Sequence, residues 1–131
     1  MKKDNKGFSL VELIIVIAIM AVLIGILAPQ YLKYVKSSKI STDITNAEQI
    51  ATAINVAIAD GQYALPAAGA TSTITNANIA TAGIENLTAF PDSKLTPGTA
   101  AWVVTIDDKG IATITLNTTA IWPDATAYEG L

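Results

Sequence analysis

The chain of 131 residues contains no cysteine, no histidine and no arginine. Lacking cysteine, it can form no disulfide and perform no thiolate chemistry. The lack of histidine also removes the usual zinc ligand sets and the commonest general base. Eight lysines stand against eleven acids, a net charge of −3. With no basic surplus to neutralise phosphates, nucleic-acid binding by this chain is not expected. Catalysis would have to rest on carboxylates, lysines and hydroxyls. No serine–lysine arrangement, paired-acid constellation or phosphate loop rises above background, so the expected lists of catalytic residues, metal ligands and cofactors are empty. A domain without disulfides must hold together by packing alone or borrow stability from an assembly.

What the chain has in abundance is apolar surface: 51% of its residues are hydrophobic. From Leu13 to Ala28 every residue is apolar or glycine. The stretch from Phe8 to Ala28 reaches the ~20 residues a helix needs to cross the hydrocarbon core of a bilayer. An ordinary secretory signal fits poorly, because the run is long and no small-x-small cleavage site follows it. Lys2, Lys3 and Lys6, with Asp4 among them, precede the run, and Lys33, Lys36 and Lys39 follow it. The two basic groups balance, so charge does not set the orientation. Glu12 interrupts this pattern. A charge in a membrane helix costs ~2.5–3.5 kcal/mol at the bilayer centre and less near the interface.

The pattern Gly7-Phe8-Ser9-Leu10-Val11-Glu12, followed by Pro29, resembles the class III signal of type IV pilins and related pseudopilins. In that family a short basic leader ends in glycine, the first mature residue is aromatic, and the fifth is glutamate. The likeness covers Gly7 to Tyr34. It implies cleavage between Gly7 and Phe8 by a membrane-embedded aspartic prepilin peptidase, and N-methylation of Phe8. Residues 1–7 would be the leader. The mature chain would keep five of the lysines and ten of the acids, a net charge of −5. For Glu12 the residues alone leave open a local role, capping the helix or pairing with its own amine. The resemblance implies instead a pair with the Phe8 amine of an adjacent subunit during assembly. A buried, unpaired Glu12 would penalise misregistered packing, so it would supply register more than stability. Pro29 removes a backbone donor and, with Gly25 one turn earlier, is expected to kink or break the helix. The family loosens the helix between such residues in assembled filaments. A simple end of the membrane segment is the other reading.

Past Pro29 the helical signal resumes. Ile40, Ile44, Ala47, Ala51, Ile54 and Ile58, widened by Ile50, form an apolar seam at helical spacing. Asp43, Asn46, Glu48, Gln49, Thr52 and Asn55 occupy the other positions, and Asp60-Gly61 supplies a stop. A helix from Phe8 to Asp60 would be ~80 Å long. Its first half needs lipid or copies of itself, and its second half needs a soluble domain. Tyr31 and Tyr34 are placed to anchor at a membrane interface or to pack between subunits. Lys33, Lys36 and Lys39 form either a solvated face or a basic collar that meets the acidic head of another copy.

Between Gln62 and Thr99 the composition of Ala, Thr, Asn, Gly and Pro predicts a long connecting loop with a short helix or strand, pinned by Ile74, Ile79 and Ile84. Two β-branched runs, Ala101–Ile106 and Ile111–Leu116, flank the turn cluster Asp107-Asp108-Lys109-Gly110 and predict a hairpin near 101–116. Asp107 and Asp108 are simplest as turn formers. The tail from Ala120 is expected to add an edge strand or clamp the sheet. The resemblance implies a disulfide at this end in related pilins, for which packing of Trp122 or Tyr128 would substitute here unless neighbours hold the tail. Asn86-Leu87-Thr88 and Asn117-Thr118-Thr119 match the glycosylation triplet, a pattern that also arises by chance.

The expected organisation is thus a leader (1–7), a hydrophobic transmembrane and assembly helix (8–30), an amphipathic helix half (31–61) and a globular head (62–131). The fold class is α+β, a long N-terminal helix packed on a small antiparallel sheet. The resemblance implies a structural subunit of a type IV pilus. It would be held as a single-pass protein in the cytoplasmic membrane and then polymerised into an extracellular filament. Its partners would be identical subunits, the prepilin peptidase and an ATPase-driven assembly platform. A pseudopilin of a type II secretion system shares the same stem, and a minor pilin or membrane-tethered adhesin would also carry it.

Overall fold

A computed structural model describes residues 7–131. Lys2, Lys3, Asp4 and Lys6, and with them most of the expected leader, lie outside the described residues. The elements run α1 (Leu10–Ala59), β1 (Thr71–Thr75), a 3-10 turn (Ile79–Thr81), β2 (Trp102–Asp107), β3 (Ala112–Leu116), β4 (Thr119–Trp122) and α2 (Thr126–Glu129). The chain divides into two compact units, one up to Lys36 and the other Ser37–Leu131.

The first unit carries the apolar part of α1. Its large side chains are turned outward all round: Leu13 is 59% exposed and Ile17 56%. Among the described residues α1 is the one helix long and apolar enough to cross a membrane. Gly25 and Pro29, expected to kink or break the helix, both lie inside α1, which runs from Leu10 to Ala59 without interruption. A proline deletes one donor and crowds one carbonyl, and the intact turns on either side carry the helix across.

The second unit begins on the same helix and behaves differently. Ile40, Ala47, Ile50, Ala51, Ile54 and Ala57 are buried against the sheet residues Trp102, Val104, Ile106, Ile114, Leu116 and Ile121 in one apolar cluster. At about 1.5–3 kcal/mol for each large side chain taken fully out of water, this cluster is the main source of the head's stability. The helix ends where Asp60-Gly61 predicts. Gly61 adopts φ 72°. Gln62 N–H donates to the Ala57 carbonyl (2.9 Å) and Gly61 N–H to that of Ile58 (3.2 Å), a Schellman ending that needs a residue tolerant of positive φ.

The sheet is an antiparallel meander, β1-β2-β3-β4. Its fold class, α+β with a long N-terminal helix, is the one expected. The predicted hairpin is β2–β3, with Val104 opposite Ile114 and Trp102 opposite Leu116. Strict alternation places Trp102, Val104 and Ile106 in the core while Val103, Thr105 and Asp107 are only half-buried. Asp107 builds the turn, its carboxylate accepting from Lys109 N–H (3.0 Å) and Ile111 N–H (2.7 Å). Asp108 reaches across to the Gly69 N–H (2.9 Å). The segment expected as a connecting loop contains β1, and Ile74, Ile79 and Ile84 pin it to the core at 4% exposure or less. At the other edge β4 pairs with β3, and α2 follows it.

Candidate functional site

Two places concentrate polar chemistry. The first is the N-terminus of α1. Gly7 and Phe8 precede the helix, and Phe8 is 93% exposed. Ser9 and Glu12 bond reciprocally: Ser9 N–H donates to the Glu12 carboxylate (2.9 Å), and Glu12 N–H donates to the Ser9 hydroxyl (3.2 Å). This is a capping box, a serine followed three residues later by glutamate, and it satisfies two of the donors that a helix start leaves open. In the single chain, then, Glu12 is held locally. The signal was present as Ser9-Leu10-Val11-Glu12, and a glutamate at the third helical position also complements the helix dipole.

Lys33 and Lys36 are exposed on α1 within the first unit, and Lys39 is exposed on α1 within the second. Lys33 lies beside Gln30 and Tyr34 in a shallow surface hollow of the first unit. Gly25 and Pro29 lie further up α1, in the apolar run.

The second place lies in the head and was not foreseen. Asp43, assigned above to the polar positions of the helix, is fully buried. Its carboxylate accepts four hydrogen bonds: from the Ser93 hydroxyl (2.7 Å), Lys94 N–H (2.8 Å), Leu95 N–H (3.2 Å) and the Tyr128 hydroxyl (2.7 Å). One side chain of α1 thereby fastens both the loop after Pro91 and the C-terminal helix α2. Burial pushes the Asp43 carboxyl up, but the four donors together outweigh it and hold the group below its ordinary value of 3.8. Burial, followed by the hydrogen bond to the Asp43 carboxylate and its charge, raises the Tyr128 hydroxyl well above 10.0.

Neighbouring contacts stiffen the same region. Trp102 Nε1–H donates to the Pro91 carbonyl (2.8 Å), and Gly98 N–H donates to Asp92 (2.9 Å). Asn117 bonds Thr96 Oγ1 (2.9 Å) and Ala101 N–H (2.8 Å), so that member of the second glycosylation triplet is already committed. Asp124 accepts from the N–H (2.9 Å) and hydroxyl of Thr126 at the start of α2, bonds that hold its carboxyl below the ordinary range. Of the two expected fasteners of the tail, Trp122 and Tyr128, it is Tyr128 that bonds Asp43, through its hydroxyl as well as its packing. Among the described residues no group of three histidine, cysteine or acidic side chains is placed to hold a metal ion.

Comparison with known proteins bears on the first place. Residues 2–28 match the family model described as the prokaryotic N-terminal methylation motif. The chain is 42% identical over 64 residues to a type IV major fimbrial protein FimA of Dichelobacter nodosus, covering 49% of this chain and 41% of that protein. It is 37% identical over 60 residues to a fimbrial protein of Pseudomonas aeruginosa, covering 46% and 39%. To the prepilin peptidase-dependent protein A of Clostridium perfringens it is 33% identical over 87 residues, covering 65% and 61%. The chain spans about two fifths of the length of the first two relatives. No solved structure matches it significantly.

Proposed function

We propose that the chain is the structural subunit of a type IV pilus, stored in the membrane through α1 and polymerised through the same helix into an extracellular filament. The observation that carries this reading is the pairing of a methylation motif over residues 2–28 with an apolar run on α1 whose large side chains are exposed all round among the described residues. Fimbrial relatives share that half of the sequence. Outward-facing apolar side chains need lipid or other copies of α1. Contacts between identical stems that do not close on themselves generate an open helical polymer.

On this reading a prepilin peptidase cuts between Gly7 and Phe8 and the new Phe8 amine is methylated. Glu12 then exchanges its bond to Ser9 for the Phe8 amine of the adjacent subunit. Leaving that carboxylate unpaired in a dry bundle would be costly, and so the exchange selects one register. Gly25 and Pro29 mark where α1 loosens in the fibre, because a turn without the proline donor, next to a glycine, is the cheapest to open. Lys33, Lys36 and Lys39 face the acidic head of a neighbouring copy. An ATPase-driven assembly platform would supply the work of extraction from the bilayer.

The test is mass spectrometry of fibres sheared from cells producing the chain. The expected main species lacks residues 1–7 and carries one methyl group on Phe8. Fibres built from a chain that keeps its leader would overturn the proposal.

A further inference from the structure

β1 is the edge of the sheet, and an edge strand offers its outward N–H and C=O groups to any other strand. Strand residues direct these groups alternately to the two sides, so when Ser72 and Ile74 serve β2, Thr73 and Thr75 face outward. Three of the four outward backbone groups of Thr73 and Thr75 are occupied by one residue. Asn78 Nδ2–H donates to the Thr73 carbonyl (3.1 Å), and Thr75 N–H donates to Asn78 Oδ1 (2.6 Å). Asn78 N–H also donates to the Thr75 carbonyl (3.1 Å).

The Asn78 carboxamide therefore offers one donor and one acceptor to successive outward groups, as the N–H and C=O of one residue in an adjoining strand would. Two residues earlier, Asn76 makes the complementary use of an amide. Its Nδ2–H donates to the Ala100 carbonyl (3.1 Å) and its Oδ1 accepts from Trp102 N–H (3.2 Å), extending the cover of β2 past the end of β1. Asn78 is exposed and its side chain has no packing role in the core, so its bonds to β1 are what its amide contributes.

We propose that Asn78 is a plug on the β1 edge, an internal contact that keeps the head from pairing strand to strand with the head of a second copy. The inference concerns a single head and does not depend on the filament reading. If that reading holds, the plug keeps neighbouring fibres from fusing sideways through their sheets.

The test uses the full chain in detergent micelles. In the unmodified protein the Thr75 amide should resist hydrogen exchange although it lies on the sheet edge, and free exchange there would overturn the proposal. Asn78→Ala bares the edge. Its Thr75 amide should exchange roughly fivefold faster in dilute solution, the factor one hydrogen bond is worth, and regain protection as concentration rises. Sedimentation over the same range should show growing oligomers. Asn78→Asp keeps an acceptor for Thr75 N–H and adds a charge that repels a second strand, so it should stay dispersed. Asn78→Ala associating while Asn78→Asp does not supports the plug. Equal association of both variants, or of neither, overturns it.

Discussion

The two ends of α1 solve opposite problems with one helix. Below Lys36 the apolar side chains point outward in every direction, and the nearest relief for them is a solvent or a neighbour. Beyond Ser37 the same backbone turns one stripe inward, where Ile54 is 0% exposed, and the sheet closes over it. On the proposed reading the first region specifies an association, and the second specifies a fold. The polar groups follow the same division. Glu12 is exposed and held by a single local partner, whereas Asp43 is sealed and held by four. A carboxylate with one bond can act as a reporter of its partner. A carboxylate with four acts as a fastener.

The largest way to break this comparison is Asp43→Ala, which should destabilise the head by about 3–5 kcal/mol, because four donors lose their acceptor at ~1–3 kcal/mol each with partial rehydration. Urea unfolding followed by the fluorescence of Trp102 and Trp122 measures it. Next in size is Glu12→Ala, which should lower the yield of sheared fibres by roughly tenfold, the factor of a coupling near 1.4 kcal/mol, while the head melts unchanged. Normal fibre yield would remove Glu12 from assembly.

Smaller, and sharper, is the pH dependence of the head. The folded Asp43 carboxyl lies below its ordinary value of 3.8, so its contribution is complete above that value and is lost as pH falls through the folded one. Tyr128 is raised, so its contribution is complete below 10.0 and is lost as pH climbs toward the higher folded value. Melting temperature against pH should therefore drop on the acid side, and Asp43→Asn should flatten that limb. The smallest effect is expected from Lys33, Lys36 and Lys39. Exposed pairs are worth ~0.2–1 kcal/mol, so replacing all three by glutamine should speed fibre disassembly only a few-fold and remove most of its dependence on salt. A rate indifferent to salt in the unmodified fibre would leave the collar a solvated face.

The stem was legible because its signals are coarse: sixteen consecutive apolar or glycine positions from Leu13 to Ala28 and a motif with fixed offsets. The β2–β3 hairpin was legible for a similar reason, since two β-branched runs flank a turn cluster. β1 was legible only as a short helix or strand left undecided within a loop, because Thr71–Thr75 buries a single side chain, Ile74, and an edge strand of threonines carries almost no hydrophobic alternation. Asp43 was misplaced although its position was informative. It falls three residues after Ile40 and four before Ala47, on the buried stripe itself. A polar residue at an apolar register is a question about its partners, and those partners lie 50 to 85 residues away, where no local pattern reaches.

The Asp43 clasp has one more consequence, for recovery after damage. A covalent crosslink torn open needs an oxidant and the right pairing before it can close, and uncatalysed rearrangement takes minutes to hours. Four hydrogen bonds on one carboxylate need neither. A head pulled open by force can shut again as soon as the loop and α2 return to the helix, in oxidising or reducing surroundings alike. The missing cysteine leaves a fastening that can be reused.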